Sequence, residues 1–317
     1  MSLAPYVQIV ARGQGRARPL TQDEAFAAMQ LMLSGDAAPE AIGALLMVLR
    51  IRGETPAEIA GFTAALRDKY PLSHQVDLDW PSYAAGRTRG APLFLLAAKL
   101  VASACYQVAL HGWNSHQKTG ASVRDVLVDL DIPIGDQTAP ISYFPVEDHA
   151  PAAFDLLRLR DVFGLRSCIN TVLRMWNPAN AGTMVQGVFH PSYRGLQAQA
   201  AELINQPNLT VIKGGGGEFE RNPAKGIQVF GLRNGVHFHE DGRPLCLETR
   251  KLHEPDAPID IVGLWHGTVI DEFAATTVIG TAALALWSLG AKENLKAAEA
   301  LAANLWLQRA ETLRKSA

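Results

Sequence analysis

Beyond Tyr70, short apolar runs alternate with longer amphipathic stretches, and this alternation restricts the fold more than any other feature of the chain. Gln107 to Leu110, Met184 to Val188, Leu209 to Lys213 and Gln228 to Leu232 read as strands. Ser122 to Leu130 and Tyr193 to Asn205 read as helices among them. A chain that passes from strand to loop to helix and back packs as a largely parallel sheet covered by helices, so the expected class is α/β. The longest apolar stretch, Ala91 to Leu110, contains Lys99, Ser103 and Gln107. It predicts a buried helix running into a strand, not a membrane span. Val236 to His239, Glu240 to Arg243 and Pro244 to Leu247 predict a hairpin turning at Glu-Asp-Gly-Arg. Asp271 to Leu289 and Lys292 to Arg314 predict two closing helices.

The first seventy residues have a different texture. Thr21 with Glu24 forms a capping box, and Phe26, Met29 and Leu33 follow at helical spacing. Gly35 suits the left-handed stop of that helix. Ile42, Leu45, Leu46 and Leu49 trace one apolar stripe, ended by Gly53. Thr55, Pro56 and Glu58 start a third helix, whose buried face is Ile59, Phe62 and Leu66. The expected organisation is a small helical domain over 1–72, joined by about 173–182, and a larger α/β domain over 73–317. The N-terminal stripes are expected to pair with a second copy and give a homodimer.

Composition narrows the setting. The 317 residues suffice for one large domain or two modest ones. Charged residues are 19% against about 25% in ordinary globular chains, and hydrophobic residues are 48%, which excludes a disordered chain. The formal net charge of −2 does not announce a nucleic-acid binder, so any such role needs a local basic patch. Cys105, Cys168 and Cys246 form no CxxC, and three is an odd number for a disulfide framework. A reducing cytoplasm is the expected location, since the N-terminus also lacks the apolar core of a signal peptide.

Four segments carry residues with chemistry. The loop from His111 to Ser122 follows a strand and opens a helix, where free N–H groups favour an anion. His111, Lys118, Thr119, Gly120 and Ser122 would suit a phosphate there, although a plain polar connection has the same composition. Gly214 to Gly217 also follows a strand, and lets backbone approach a ligand. No Gly-Lys-Ser/Thr follows it, so it is not a nucleotide P-loop. Glu218 and Glu220 beyond it are metal candidates or solvated carboxylates. His237 and His239 share one face of a predicted strand, with Glu240 and His253 as further candidates; the spacing matches no metal site, and a surface hairpin is the favoured reading. Finally, Arg158, Arg160, Arg166 and Arg174 are offset only by Asp155 and Asp161 between Phe154 and Ala179, and Arg194 follows. They read as a phosphate-backbone patch, or as a solvated helix face with salt bridges.

Three N-terminal helices, then His111-Gly112 with Lys118-Thr119-Gly120, then RDVFGLRSCINTVLRMWNPA over 160–179 resemble the anthranilate phosphoribosyltransferase family. The resemblance runs over nearly the whole chain. It implies the nucleoside phosphorylase/phosphoribosyltransferase superfold, a helical domain plus an α/β domain. Asn170 and Asn177-Pro178-Ala179 look like the family's FN…GPLtNPA stretch, and Arg160 falls on its substrate-binding arginine. Other family positions differ. The glycine-rich diphosphate loop is replaced by DWPSYAAGRTRG over 79–90, with Arg87 and Arg89 introduced. Leu110 stands where the family has a phosphate-binding lysine. The family's magnesium-holding Asp-Glu pair falls on Phe219-Glu220, so Glu220 is a remnant and no metal or other cofactor is expected.

Magnesium and a glycine cradle make diphosphate a good leaving group, and losing such electrostatic support costs on the order of 10²-fold or more in rate for each element. Anthranilate phosphoribosyl transfer is therefore not expected. Pro81-Ser82-Tyr83 with Gly86-Arg87, His190-Pro191 with Tyr193, and Gly217-Glu218 with Asn222-Pro223 resemble the YbiB-like branch of the family. That branch implies a homodimer that binds nucleic acid without sequence preference. On this reading Arg87, Arg89, His111, Lys118, Thr119, Arg158, Arg160, Arg166 and Arg174 contact phosphates, of single-stranded or sequence-independent nucleic acid. The alternative is an active glycosyl or phosphoribosyl transferase with a changed substrate and magnesium, its cleft lined by His111, Lys118, Thr119, Arg160 and Glu220. A third reading is a sensor that binds a phosphorylated ligand without turnover.

Overall fold

The computed structural model describes residues 2–13, 15–83, 90–113, 122–250 and 259–316. Four helices come first: α1 (Ala4–Ala11), α2 (Gln22–Ser34), α3 (Pro39–Arg52) and α4 (Pro56–Lys69). Both expected capping boxes are present, Thr21 with Glu24 and Thr55 with Glu58. Gly35 ends α2 in the left-handed region, at φ 80°. The helices α1 and α3 start without a side-chain cap, at Leu3 and Ala38, and each carries a proline in its first turn. Glu58 is fully buried at the start of α4. Its carboxylate accepts from the backbone N–H groups of Leu20 and Thr55 and pairs with Arg52, so one side chain ties α3, α4 and the approach to α2 together.

The rest of the chain runs β1 (Leu78–Ser82), α5 (Phe94–Ser103), β2 (Val108–Gly112), α6 (Val123–Asp129), β3 (Ile141–Pro145), α7 (Val146–His149), α8 (Pro151–Phe163), α9 (Ile169–Arg174) and β4 (Thr183–Val188). It continues through α10 (Tyr193–Leu203), β5 (Asn208–Lys213), β6 (Ile227–Arg233), β7 (Val236–Gly242), α11 (Ile261–His266), α12 (Glu272–Ser288) and α13 (Leu295–Ser316). The seven strands form one sheet in the order β3-β2-β1-β4-β5-β6-β7, with β1 to β5 parallel and the last two antiparallel. The fold is thus the expected helical bundle plus α/β domain with a mainly parallel sheet.

Each sheet face carries its own core. Leu78 and Trp80 of β1 join α5, α6, α11, α12 and α13 on one side. Met184, Val188, Leu209 and Val211 join α1 to α4 and α8 to α10 on the other. The helix α12 is buried nearly all round, as expected of an element with apolar residues on every face. Arg67 of α4 crosses between the layers: its guanidinium donates to the carbonyls of Met175 and Trp176 and to Gln206 Oε1. Burial pushes its pKa down to about 10, partly offset by the Asp79 charge.

Several sequence expectations need correction. The hairpin turns at Asn234-Gly235, not at Glu240 to Arg243, and pairs β6 with β7 in register from Arg233–Val236 to Ile227–Gly242. Asn234 and Gly235 both have positive φ, 50° and 75°, as a two-residue turn of this hand requires. His111 lies inside β2 and not at the start of a loop. The strands β1 and β3 were not legible, and the apolar stripes of the N-terminal helices are consumed within the chain. Leu45, Leu46, Leu49 and Phe62 are all fully buried without a second copy.

Candidate functional site

Strand order reverses at β1: the chain builds outward to β2 and β3, then returns to place β4 on the other side. The carboxyl ends of β1 and β4 therefore flank the crevice where open α/β sheets take ligands. Two close backbone approaches shape it. A Cβ on Gly112 would lie 1.8 Å from the Ser82 carbonyl oxygen, and one on Gly187 would lie 2.0 Å from the Glu218 carbonyl carbon. The backbone of 218–219 thus lies directly on the end of β4.

Behind this crevice runs a buried polar chain. His111 Nε2 sits 3.2 Å from Asp79 Oδ1, and Nδ1 sits 2.9 Å from the Tyr83 hydroxyl. A carboxylate only accepts, so this geometry assigns the ring proton to Nε2 and makes Nδ1 the acceptor of the Tyr83 O–H. The ring also meets Trp176 edge-on, 5.4 Å between centroids. His111 is 0% exposed, so both nitrogens are committed to internal partners.

The positions on which the magnesium pair would fall are occupied otherwise. Phe219 is fully buried, its ring edge-on to Trp80 at 5.3 Å. Glu220 is also fully buried, and its Oε2 accepts the backbone N–H of Phe94, the first residue of α5, at 2.9 Å. A carboxylate of the chain therefore sits at the helix N-terminus that follows the 79–90 segment. These residues do not fit a magnesium site. Among the described residues no group of three or more His, Cys, Asp or Glu side chains could hold a metal ion. His237 instead contacts Glu202 Oε2 at 2.8 Å, while His239 stacks on Phe230 at 4.3 Å. His253 lies outside the described residues.

The predicted arginines separate into two groups. Arg158 is exposed on α8, its guanidinium 5.9 Å from the Phe154 ring centre, and Phe154 is edge-on to Trp113 at 5.1 Å. Arg166 and the buried Arg174 instead line a pocket with Arg50, Asn170, His190 and Tyr193. Among the described residues no carboxylate lines it. Burial pushes the Arg166 guanidinium down to about 10, with repulsion from Arg160, Arg174 and Arg50 adding to the effect. Burial also lowers Arg174, offset in part by Glu218 and Tyr83. Half-buried Arg160 shifts down by burial against the pull of Asp161. Sequence reasoning missed Arg50, since a basic residue in the last turn of a helix ordinarily answers the helix dipole. Arg87, Arg89, Lys118 and Thr119 lie outside the described residues.

Comparison with known proteins agrees with this architecture. Residues 5–70 match the family model described as "Glycosyl transferase family, helical bundle domain". An anthranilate phosphoribosyltransferase of Bacillus caldotenax is 30% identical over 233 residues, covering 69% of this chain and 95% of the relative. One from Geobacillus kaustophilus is 29% identical over 306 residues, 90% of this chain and 89% of the relative. The crystal structure of the Thermus thermophilus anthranilate phosphoribosyltransferase superposes with a TM-score of 0.79 at 23% identity, covering 100% of this chain and 98% of that one. With the same bundle in front of the same sheet, and a relative matched over almost its full length, the chain belongs to the anthranilate phosphoribosyltransferase family.

Proposed function

We propose that this chain has lost anthranilate phosphoribosyl transfer and binds nucleic acid through phosphate contacts, without sequence preference, as a YbiB-like member of its family. The observation that carries this reading is the pocket shared by Arg50, Arg166 and Arg174, with no carboxylate among the described residues of its lining. Gathering three guanidinium groups costs free energy through burial and mutual repulsion, and a bound anion relieves both terms. The central crevice supports the loss of activity. An incoming diphosphate at α5 would meet the Glu220 carboxylate, and the neighbouring metal position is an aromatic ring packed in the core. Half-buried Arg160 lies close enough to repel Arg166 and extends the basic surface onto α8. Pairing of two copies would join two such surfaces into a longer track.

The names of the relatives favour a working transferase, and the second reading is such an enzyme with a changed substrate. Two measurements separate them. Binding of single-stranded oligonucleotides should weaken steeply with salt, with a logarithmic slope of about 0.9 per neutralised phosphate for duplex and about 0.7 for single strands. Arg158→Glu with Arg166→Glu should weaken all sequences alike and flatten that slope. Turnover of phosphoribosyl diphosphate and anthranilate with magnesium should be undetectable; a rate of about 1 per second or above would establish the enzyme instead.

A further inference from the structure

A cavity of about 730 Å³ lies beside the arginine pocket and not in it. It opens where β5 ends at Lys213, beneath the start of α10 and against the first residues of β6. Among the described residues four cations line it, Arg194, Lys213, Lys225 and Arg250, and no carboxylate does. Arg250 is already neutralised by a two-pronged contact to Asp271, at 2.9 and 2.7 Å. The other three differ. Neither Lys213 nor Lys225 has an ion-pair partner among the described residues.

Arg194 is positioned before any ligand arrives. Its guanidinium lies 4.4 Å from the centre of the Phe230 ring. Nε donates to the Pro191 carbonyl at 3.2 Å, while Nη1 and Nη2 donate to the Gln228 carbonyl and Oε1 at 3.4 and 3.3 Å. All these partners are neutral, so the fork is held still while its charge remains unspent. Holding a cation rigid in advance reduces the entropy lost when an anion binds.

We infer that this cavity is a second anion site, for a small ligand carrying two or more linked phosphates, such as a nucleoside diphosphate. Three uncompensated positive charges exceed the −1.5 to −2 or so that one phosphate monoester supplies, and a linked pair balances them better. The volume falls within the 300–1,000 Å³ or so typical of small-molecule pockets. Apolar Ile227, Pro191 and Ala224 offer a wall for the uncharged part of the ligand, with Asn222 and Thr249 as neutral polar partners. A concave cavity set behind the β4–α10 connection fits a compact ligand better than an extended strand.

The test is titration calorimetry of the full chain with inorganic pyrophosphate and with ADP at low ionic strength, beside titration with a single-stranded oligonucleotide. Both small probes should bind, and Lys213→Glu and Lys225→Glu should each weaken them tenfold or more. Both lysines are exposed, so these variants should keep the parent circular dichroism and melting temperature. Arg194→Lys, which keeps the charge and loses the fork, should fall between parent and charge reversal. Oligonucleotide affinity should stay within about twofold in all three variants, because that reading depends on Arg50, Arg166 and Arg174. Absence of binding by both probes overturns the inference, as does binding that ignores the lysine changes. A parallel loss of oligonucleotide affinity in the lysine variants also overturns it, and gives the cavity to the nucleic acid. If the parent protein binds pyrophosphate but no oligonucleotide, the proposed function fails and this inference stands.

Discussion

Arg166 shows how a single side chain can be costly to the fold and useful to the molecule. Its depressed pKa means that the folded state disfavours the charged form. Below about pH 10 the charge therefore works fully against stability, and the penalty fades as the pH rises from there towards the guanidinium's ordinary value. Replacing it with an uncharged apolar residue should stabilise the unliganded protein. Arg166→Leu is expected to raise the melting temperature by about 2 °C in phosphate-free buffer, and to lose oligonucleotide affinity in the same preparation. A lower melting temperature would mean that the guanidinium is structurally satisfied, and would remove the main support for an anion in that pocket. The sequence placed Arg166 and Arg174 in a basic cluster, yet could not say that Arg174 is interior or that Arg50 joins them. Three-dimensional convergence of residues more than 110 positions apart leaves no periodic trace. His111 illustrates the same limit. A histidine before glycine and polar residues resembles a loop start, and only the neighbouring strands reveal that Asp79 and Tyr83 hold it inside.

Among elements, those with strong local chemistry were legible and those defined by their neighbours were not. The capping boxes of α2 and α4 need only residues three apart, so they appear in sequence as clearly as in space. The strand β1 is the opposite case. Pro81 lacks an N–H and argues against a central strand, but it sits near the end of β1, opposite His111, where one missing donor is tolerated. The hairpin was misplaced because Asp-Gly and Asn-Gly are both turn signals seven residues apart, and only pairing with β6 decides between them. The start of α4 offers a graded stability test. Thr55→Ala removes a cap and should cost about 1 kcal/mol in denaturant unfolding. Glu58→Ala removes the same box, strips the Leu20 and Thr55 N–H groups of their acceptor and leaves Arg52 without its partner. It should cost about 3–5 kcal/mol. Equal effects would show that Glu58 serves the helix end alone.

At the scale of the whole molecule, the two cores on opposite faces of one sheet explain why fold class was readable from alternation while assembly was not. An apolar stripe on a helix looks the same whether it meets a second copy or its own chain. Here Leu46 and Phe62 meet their own chain, so a charge at either position tests folding and not pairing. The homodimer remains our proposal, and the exposed apolar side chains of the helical layer are where to test it. Ile51, at the end of α3, is 85% exposed. Ile51→Glu should leave the melting temperature nearly unchanged. If this surface is the contact, the same variant should halve the mass measured by light scattering. A parent mass of one chain would refute pairing altogether. Among the described residues no helix is long and apolar enough to cross a membrane.

On the proposed loss of transfer activity, the packing of Phe219 against Trp80 bears on whether that activity could be regained. An aspartate at 219 would restore the missing half of the carboxylate pair on paper. In this molecule it would place a charge in a site that Trp80 and the core keep dry, beside a glutamate already committed to the start of α5. Burying an unpaired carboxylate costs several kcal/mol unless it takes up a proton, and a protonated acid is a poor ligand for magnesium. Phe219→Asp alone should therefore lower stability without creating a metal site. The route back would need Trp80, Phe219 and the cap on α5 to change together, each step harmful before the last is made. If the activity was lost as proposed, the aromatic plug acts as a ratchet in evolutionary terms: selection acting on one substitution at a time has no downhill path to reopen it.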